Sequence, residues 1–371
     1  MKKTLRFPLI LRLTIILFFI WLSYTFLEEF RNYLAPLTLG ILFAYLLFPL
    51  ANFFEKHGFH RGLANILSII IGLSVVYGIS FIIYKQFGLF LEDLPALKER
   101  AFHNTNIIIA SIEDFLGIKA GGLKREVNDI VQKILENPER GITSALAPTF
   151  FTIFTIFIMP VYIFFLLFYR NKFKQFALML IPEGRHVVAE RIINEINTIT
   201  IRYMTGMSLV VLILVVINTT GFLIIGLKYA VLLGFIAALL NFIPYYGTII
   251  GYFFPVFMAV FVMDSPIYIF LVLLQFIVVQ FTENNILTPN IVGAHVNINP
   301  FMIILSITLG AFVWGLPGML IAVPIAAVIR VLGDNIEELK PIGFLLGQTG
   351  TEEHSITREK IRKFFTFRKN K

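Results

Sequence analysis

Residues 241–247 read Asn241-Phe242-Ile243-Pro244-Tyr245-Tyr246-Gly247, and they interrupt a long apolar segment. Residues 229–263 carry no charged side chain. As one helix they would be about 50 Å long, against about 30 Å for the hydrocarbon core of a bilayer. Pro244 cannot donate a helical hydrogen bond, and Gly247 tolerates an open turn. We therefore predict two short helices that meet at a break inside a membrane, where protein or a water-filled cavity must satisfy the freed backbone groups.

A second apolar segment has the same design. Residues 300–332 are interrupted by Trp314-Gly315-Leu316-Pro317-Gly318, in which Gly315, Pro317 and Gly318 are the helix-breaking residues. One ordinary span, 265–282, and a polar stretch, 283–300, separate the two segments. Two interrupted apolar segments in corresponding places indicate the binding site of a transporter. The alternative is that proline and glycine only kink two tilted spans, which membrane helices tolerate.

The composition is that of a polytopic, all-α membrane protein. The chain has 371 residues, of which 57% are hydrophobic and 15% charged, and its mean hydropathy is +0.82. Apolar runs of this length exceed what a globular core requires. The absence of cysteine excludes disulfides and thiol catalysis. The net charge of +8 comes from basic residues clustered in loops and tails, so it indicates membrane topology and no nucleic-acid partner.

The apolar runs predict about six full spans plus the two interrupted segments, and a plain count of eight spans is the alternative. The predicted full spans are 13–27, 34–54, 63–84, 146–169, 203–227 and 265–282. The chain then divides into three N-terminal spans (1–84), an extracytoplasmic amphipathic-helical region (85–145), spans four and five with a cytoplasmic amphipathic segment (146–228), a transport core (229–332) and a basic cytoplasmic tail (333–371).

Charge places both termini in the cytoplasm, because the N-terminus and the tail are basic. Region 85–145 holds eight basic and nine acidic residues, a balance that suits the outer face. Its predicted amphipathic helices, 91–102 and 123–135, would form an external cap, a subunit contact, a lipid-surface element or a solvated connector. If both interrupted segments fold back as hairpins, they enter the membrane from opposite faces. The eight-span alternative places residues 283–299 on the opposite side of the membrane from the hairpin model.

Glu283 is the most informative polar residue of the core. Asp264 and Glu283 are the only acids between residues 203 and 333, and Asp264 sits in a turn that we interpret as interfacial. An ionisable group near the membrane interior is a candidate for proton or cation binding, although Glu283 would also suit a water-exposed span end. Gln280 shares its face of the helix, and Asn284 follows it.

Other polar residues support binding rather than catalysis. Asn241, three residues before Pro244, would satisfy freed backbone groups or contact a polar ligand. Asn218-Thr219-Thr220 interrupts an apolar run and would bond to a neighbouring helix or face a substrate path. His295 is alone, so we predict no metal site. The sequence contains no catalytic or nucleotide-binding motif. We therefore predict a non-enzymatic protein without a cofactor, in which uphill transport would use an ion gradient.

The ordered motifs resemble one known family. Asn241-Phe-Ile-Pro-Tyr-Tyr-Gly247 is followed by Gln280-Phe-Thr-Glu283-Asn-Asn285, then by Pro289-Asn-Ile-Val-Gly293, and then by Gly315-Leu-Pro-Gly318-Met-Leu-Ile-Ala-Val-Pro324. Together they resemble the autoinducer-2 exporter family, the AI-2E or PerM-like permeases. The resemblance implies a bacterial inner-membrane permease that forms homo-oligomers. Its implied cargo is the quorum-sensing signal autoinducer-2, while some relatives are linked to sodium–proton exchange. Tyr246 is an additional aromatic residue relative to the family pattern.

Two functions follow as hypotheses. The first is export of a small polar signalling molecule such as autoinducer-2 by alternating access without ATP. The second is a sodium (cation)/proton antiporter in which Glu283 and Asn284 couple the ions. A membrane scaffold that binds a partner through 85–145 is less favoured, because interrupted helices are costly. For the exporter we predict a cargo site lined by Asn241, Pro244, Tyr245, Tyr246, Gly247 and Gln280.

Overall fold

The computed structural model describes residues 8–116, 150–293 and 297–348. Within these ranges the backbone is helical, and the single β-type pairing is an isolated bridge between Ile298 and Gly347. The predicted all-α architecture is therefore confirmed. The predicted helix 123–135, His295 and the basic residues from Arg358 onward lie outside the described residues.

Of the first seven helices, α1, α2, α3, α5 and α7 correspond to the first five predicted spans. Helix α3 continues past residue 84, and α7 joins the predicted amphipathic segment and span five into one 40-residue helix that contains no proline. Gly226, with φ of +85°, ends α7 in the left-handed conformation. Their bounds are α1 Leu9–Glu29, α2 Arg31–Lys56, α3 Arg61–Glu92, α4 Leu94–Leu116, α5 Phe150–Phe168, α6 Arg170–Met179 and α7 His186–Ile225.

The remaining helices lie in the region predicted as the core and in the first part of the predicted tail. Their bounds are α8 Ala230–Leu240, α9 Tyr246–Phe261, α10 Ile267–Thr282, a π-helical turn Glu283–Leu287, α11 Thr288–Ile291, α12 Pro300–Trp314, α13 Leu316–Asn335 and α14 Lys340–Leu346. Both predicted breaks separate two helices. Among the described residues, six segments are long and apolar enough to cross a membrane: α1, α2, α3, the helix that includes α7, the run from α10 to α11, and α13.

Charged pairs divide the bundle into two ends, which we name after the first and last residues of α2. At the Lys56 end, Glu55 pairs with Arg170 at 2.5 Å and with Arg61 at 3.8 Å. At the Arg31 end, Asp93 pairs with Lys228 at 2.7 Å. Hydrogen bonds from Lys228 and Tyr229 hold the pKa of Asp93 below its usual value. Among the buried side chains of the described residues, Glu283 is the one that carries a carboxyl or basic group.

The first hairpin consists of α8 and α9, which run antiparallel from the Arg31 end. A Cβ atom at Gly247 would lie 1.7 Å from the carbonyl oxygen of Leu240, and one at Gly251 would lie 2.9 Å from Cα of Ala237. Residues before Pro244 therefore contact residues after it. Such contacts cannot occur in one continuous tilted span, so the alternative of a kinked span is excluded for this segment. The break and Leu214 of α7 line the same cavity, and Leu214 lies eleven residues before the end of α7. Because a helix rises about 1.5 Å per residue, the break lies about 16 Å inside the bundle from the Arg31 end, where α7 ends.

The second hairpin, α12 and α13, has its turn at a different depth. The indole Nε1 of Trp314 donates to the carbonyl oxygen of Leu27 at 2.9 Å, and Arg31 Nη2 donates to the Trp314 carbonyl at 3.2 Å. The turn therefore lies at the Arg31 end rather than halfway along the bundle. Gly315, with φ of +63°, and Pro317 in the first turn of α13 reverse the chain without a loop. Thus α12 and α13 run along the bundle, and only the first break is deep.

The two hairpins open to opposite ends, as predicted. The first begins beside Lys228 at the Arg31 end. The second ends at Asn335, which accepts a hydrogen bond from Arg191 and donates one to Glu195, both in the first half of α7. The segment before α10 therefore lies at the Arg31 end of the bundle, and the segment after α11 lies at the Lys56 end.

Single-cysteine labelling tests this arrangement without background, because the chain has no cysteine. Asn297→Cys and Asp264→Cys lie at exposed positions on opposite ends. We expect a membrane-impermeant maleimide to label Asn297→Cys only from the cytoplasmic side and Asp264→Cys only from the other side. Labelling of both from the same side, in intact cells or in inside-out vesicles, would contradict the paired hairpins.

Close glycine contacts should make the second hairpin intolerant of added volume. A Cβ at Gly318 would lie 1.9 Å from the carbonyl oxygen of Gly310, whereas one at Gly88 on α3 would meet nothing within 4 Å. We expect Gly318→Ala to destabilise the protein by about 1–3 kcal/mol, as overpacked sites do. The matched Gly88→Ala should be neutral or slightly stabilising. Thermal unfolding in detergent measures both, and equal melting temperatures would refute the packing.

Candidate functional site

The break of the first hairpin is joined to Glu283 by a buried hydrogen-bond relay. Asn241 and Glu283 are only 4% and 8% exposed. The Nδ2 of Asn241 donates to Glu283 Oε1 at 2.7 Å, and its Oδ1 accepts from Thr248 Oγ1 at 2.6 Å. The amide therefore bridges the end of α8, the start of α9 and the helix that carries Glu283. The donor contact of Nδ2 and the acceptor contact of Oδ1 agree on one orientation of the Asn241 side-chain amide.

The π-helical turn sets which side chains face this relay. It begins at Glu283, and Gln280, three residues earlier, donates through Nε2 to Glu283 Oε2 at 3.5 Å. The wider turn follows a regular helix, and such turns recur at functional sites. Glu283 consequently points to the break, while Asn284 and Asn285 are exposed. Of the two predicted ion-coupling residues, the structure brings only Glu283 into the relay.

A second polar group lies across a small cavity from the first. The hydroxyl of Tyr252 donates to Asn218 Oδ1 at 2.5 Å, and Gln275 Nε2 donates to the Asn218 carbonyl at 3.2 Å. The predicted polar contact of Asn218 with a neighbouring helix is thus present. The cavity between the groups has a volume of about 10 Å³, room for about one water molecule. It is lined by Leu214, Asn218, Ala237, Asn241, Thr248, Tyr252, Val279, Gln280 and Glu283.

Glu283 has no basic partner in the described part of the chain. None of the ion pairs found there includes it, and its hydrogen-bond donors are the neutral amides of Asn241 and Gln280. A buried carboxylate without a compensating cation is costly. The site therefore suits a carboxyl group that takes up a proton, binds a cation or accepts hydrogen bonds from a polar ligand.

The other residues predicted at the first break lie next to the relay but not in it. Tyr245 and Tyr246 are exposed, and Gly247 packs against the Leu240 carbonyl. Pro244 is half-buried. Tyr245 has φ of +64°, a strained conformation for a bulky residue. The Tyr246 hydroxyl lies 2.9 Å from Thr308 Oγ1 on α12, so it connects the two hairpins.

The structure thus gathers Asn241, Gln280 and Glu283 and leaves the second turn apart. Gly315, Pro317 and Gly318 lie at the Arg31 end, at the far tip of α12 and α13. Sequence reasoning did not single out Tyr252 or Thr248 as site residues. The signal available for both was their spacing of four residues, which places them on one face of α9.

The chain matches one known protein family over nearly its whole length. The model of the AI-2E family transporters matches residues 10–338, nearly the whole chain. The chain belongs to the AI-2E transporter family. The resemblance drawn from the motifs is therefore confirmed, and this family member is a multi-pass membrane transporter with a small-molecule substrate.

Curated relatives agree with this assignment at the level of transport. Two Bacillus subtilis proteins named "Putative transport protein", YueF and YrrI, are 27% and 28% identical; the alignments cover 91% and 87% of this chain and 85% and 93% of theirs. "Putative permease PerM" of Escherichia coli K12 is 24% identical over 82% of this chain and 87% of its own.

The relay predicts energetic coupling between Asn241 and Glu283. We expect Asn241→Ala to cost about 1–3 kcal/mol of stability, because it removes a donor from a buried acceptor. In a Glu283→Gln background the cost should fall, and the difference measures their interaction. Asn285→Ala, an exposed asparagine on the same π turn, is the control and should change stability by less than about 0.5 kcal/mol. Additive effects in thermal unfolding would contradict the relay.

Proposed function

We propose that this AI-2E family member exports a small, polar, hydroxylated molecule such as autoinducer-2. Transport would proceed by alternating access without ATP, with the cargo bound beside Asn241 and Glu283. The observation that carries the proposal is the buried Glu283 carboxylate, which faces a helix break halfway along the bundle and has no basic partner in the described residues. Broken helices around a mid-membrane site are typical of secondary transporters.

The side chains at the site suit a hydroxylated cargo. The Glu283 carboxylate accepts hydrogen bonds from hydroxyl groups, while the amides of Asn241 and Gln280 provide donors and acceptors. The Tyr252 and Thr248 hydroxyls complete a polar wall of uncharged groups. A cargo of this type would replace the hydrogen bonds that these groups now make with each other.

Binding requires the first hairpin to move, because the cavity has room for about one water molecule. The arms of this hairpin touch backbone to backbone at Gly247 and Gly251, so α8 and α9 would move as one unit. Displacement away from α7 and α10 enlarges the polar cavity and exposes the backbone of the break. The exposed Tyr245 and Tyr246, together with Pro244 and Gly247, would then contact the cargo, as the motif predicts.

A second candidate function is cation–proton antiport, which the burial of Glu283 also favours. Competition of a proton and a cation for one carboxylate would couple the two fluxes. Proton relays in pumps generally use several buried acids, and in the described part of the chain Glu283 is the one buried acid. For this reason we place export of a polar molecule first.

The proposal includes the cellular arrangement that the family implies. The protein would lie in the bacterial inner membrane with both termini in the cytoplasm, as a homo-oligomer. The ion pairs of Glu55 with Arg170 and of Lys174 with Glu190 place several basic residues at the Lys56 end, which supports that end as cytoplasmic.

Uptake of autoinducer-2 into inside-out vesicles tests the proposal. We expect uptake that depends on the protein and collapses when the proton gradient is removed. Glu283→Gln should lower this uptake by at least about tenfold, the effect of a loss of about 1.4 kcal/mol. Asp264→Asn is the matched control: it also removes one carboxylate, but from an exposed turn, and should leave uptake unchanged.

Two outcomes would count against this function. Wild-type vesicles that contain folded protein but take up no autoinducer-2 would reject this cargo. Proton efflux driven by sodium in those vesicles, lost in Glu283→Gln, would instead establish antiport.

A further inference from the structure

An apolar pocket lies on the opposite face of the first hairpin from the polar cavity. It has a volume of about 230 Å³ and separates α8 and α9 from the end of α3 and the start of α4. Representative lining residues are Phe90, Leu94, Leu97, Ile236, Phe254 and Phe257. Along α9, Thr248 and Tyr252 face the polar cavity, while Phe254 and Phe257 face this pocket.

The lining excludes a polar ligand. Among the lining side chains, only Tyr229 carries a nitrogen or oxygen atom, and its hydroxyl already donates to Asp93. A hydroxylated cargo bound here would lose its hydrogen bonds to water without replacement. The volume is also below the roughly 300–1,000 Å³ of pockets that hold drug-sized molecules. A single flexible hydrocarbon chain fits both the composition and the size.

The pocket opens to the lipid-facing surface. Phe253 and Phe254, which form part of its wall, are exposed on the outside of the bundle. Tyr229 lies at its Arg31 end, and Ile236 lies seven residues farther along the chain. At about 1.5 Å per residue, the pocket extends about 10 Å inward from that end. This is the level at which the upper part of a lipid acyl chain lies.

A basic side chain stands at the end of the pocket where a headgroup would be. Lys228 precedes Tyr229, and its side chain is 52% exposed. One donor of its ammonium group goes to Asp93 at 2.7 Å. An ammonium group has three donors, so two remain for a phosphate oxygen. An ammonium group in this position can form a charge-assisted hydrogen bond to the phosphate of a lipid headgroup.

We propose that this pocket is a binding site for one phospholipid, whose acyl chain lies between α3–α4 and the first hairpin and whose phosphate contacts Lys228. The chain replaces empty space with dispersion contacts along both arms of the hairpin. It thereby supports the hairpin on the side away from the polar cavity. The site does not depend on the identity of the transported molecule.

Photo-crosslinking in nanodiscs tests this site on the full-length protein. The probe is a phospholipid with a diazirine in the upper part of its acyl chain, and labelled residues are mapped by mass spectrometry. Helix α1 contains no buried residue and reports ordinary lipid contact. We expect labelling per residue to be about tenfold higher on Phe90–Leu97 and on α8 and α9 than on α1, the ratio given by a preference of about 1.4 kcal/mol.

Two matched substitutions make the test specific. Ile236→Trp fills the pocket and should reduce its labelling to the level of α1. Ile277→Trp, at an exposed position on α10, should leave pocket labelling unchanged. Lys228→Gln should reduce pocket labelling without reducing that of α1.

Wild-type labelling of the pocket equal to that of α1 would overturn the proposal, whatever the folding of the variants. It would mean that the pocket holds no lipid chain in preference to the rest of the lipid-facing surface. Unchanged labelling in Lys228→Gln would overturn the headgroup contact.

Discussion

A carboxylate buried halfway along a helical bundle must be compensated locally, and in this transporter hydrogen bonds from Asn241 and Gln280 supply that compensation. Asn241 lies at the break, directly after the end of α8, and donates through its side-chain amide. The acceptor faces it because the helix widens into a π turn at Glu283. Both departures from regular helix would be unfavourable alone in a bilayer, since each frees backbone groups. Placed against each other, they form a polar site that neither helix contains by itself.

The two hairpins open to opposite ends of the bundle, but their turns lie at different depths. This difference in depth suggests different mechanical roles for the two hairpins. The second hairpin reaches the Arg31 end, where Trp314 and Arg31 fasten its turn to the junction of α1 and α2. Its buried residues Ile307, Ile321 and Val323 belong to the same core as Leu214 of α7. The first hairpin ends midway, and its tip contacts α12 through Tyr246 and Thr308. The second hairpin is thus fastened at its turn, whereas the first hairpin, whose Ala238 and Ile243 share the same core, ends beside the polar cavity. In the proposed transport cycle, the first hairpin is therefore the element that moves.

The sequence was sufficient for the helical architecture and for the first hairpin, because apolar length and a Pro–Gly break leave few arrangements in a membrane. It also placed Glu283 and Gln280 on one helical face. The depth of the second turn was not predictable, because it depends on Arg31 and Trp314, which are 283 residues apart in the chain. Thr248 and Tyr252 escaped notice for a related reason. Their partners Asn241 and Asn218 become neighbours only when α9 folds back between α8, α7 and α10.

The first hairpin separates a polar cavity from an apolar pocket, and this position links the two. Its polar face meets α7 and α10, and its apolar face meets α3 and α4. Because its arms are in backbone contact, the proposed shift of the hairpin away from α7 and α10 would open the polar cavity and narrow the apolar pocket. A lipid chain in that pocket would resist the shift, and a cargo in the cavity would favour it. By linkage, the cargo would weaken lipid binding by the same factor by which lipid weakens cargo binding. The membrane would then act on transport as a ligand of the hairpin as well as its solvent.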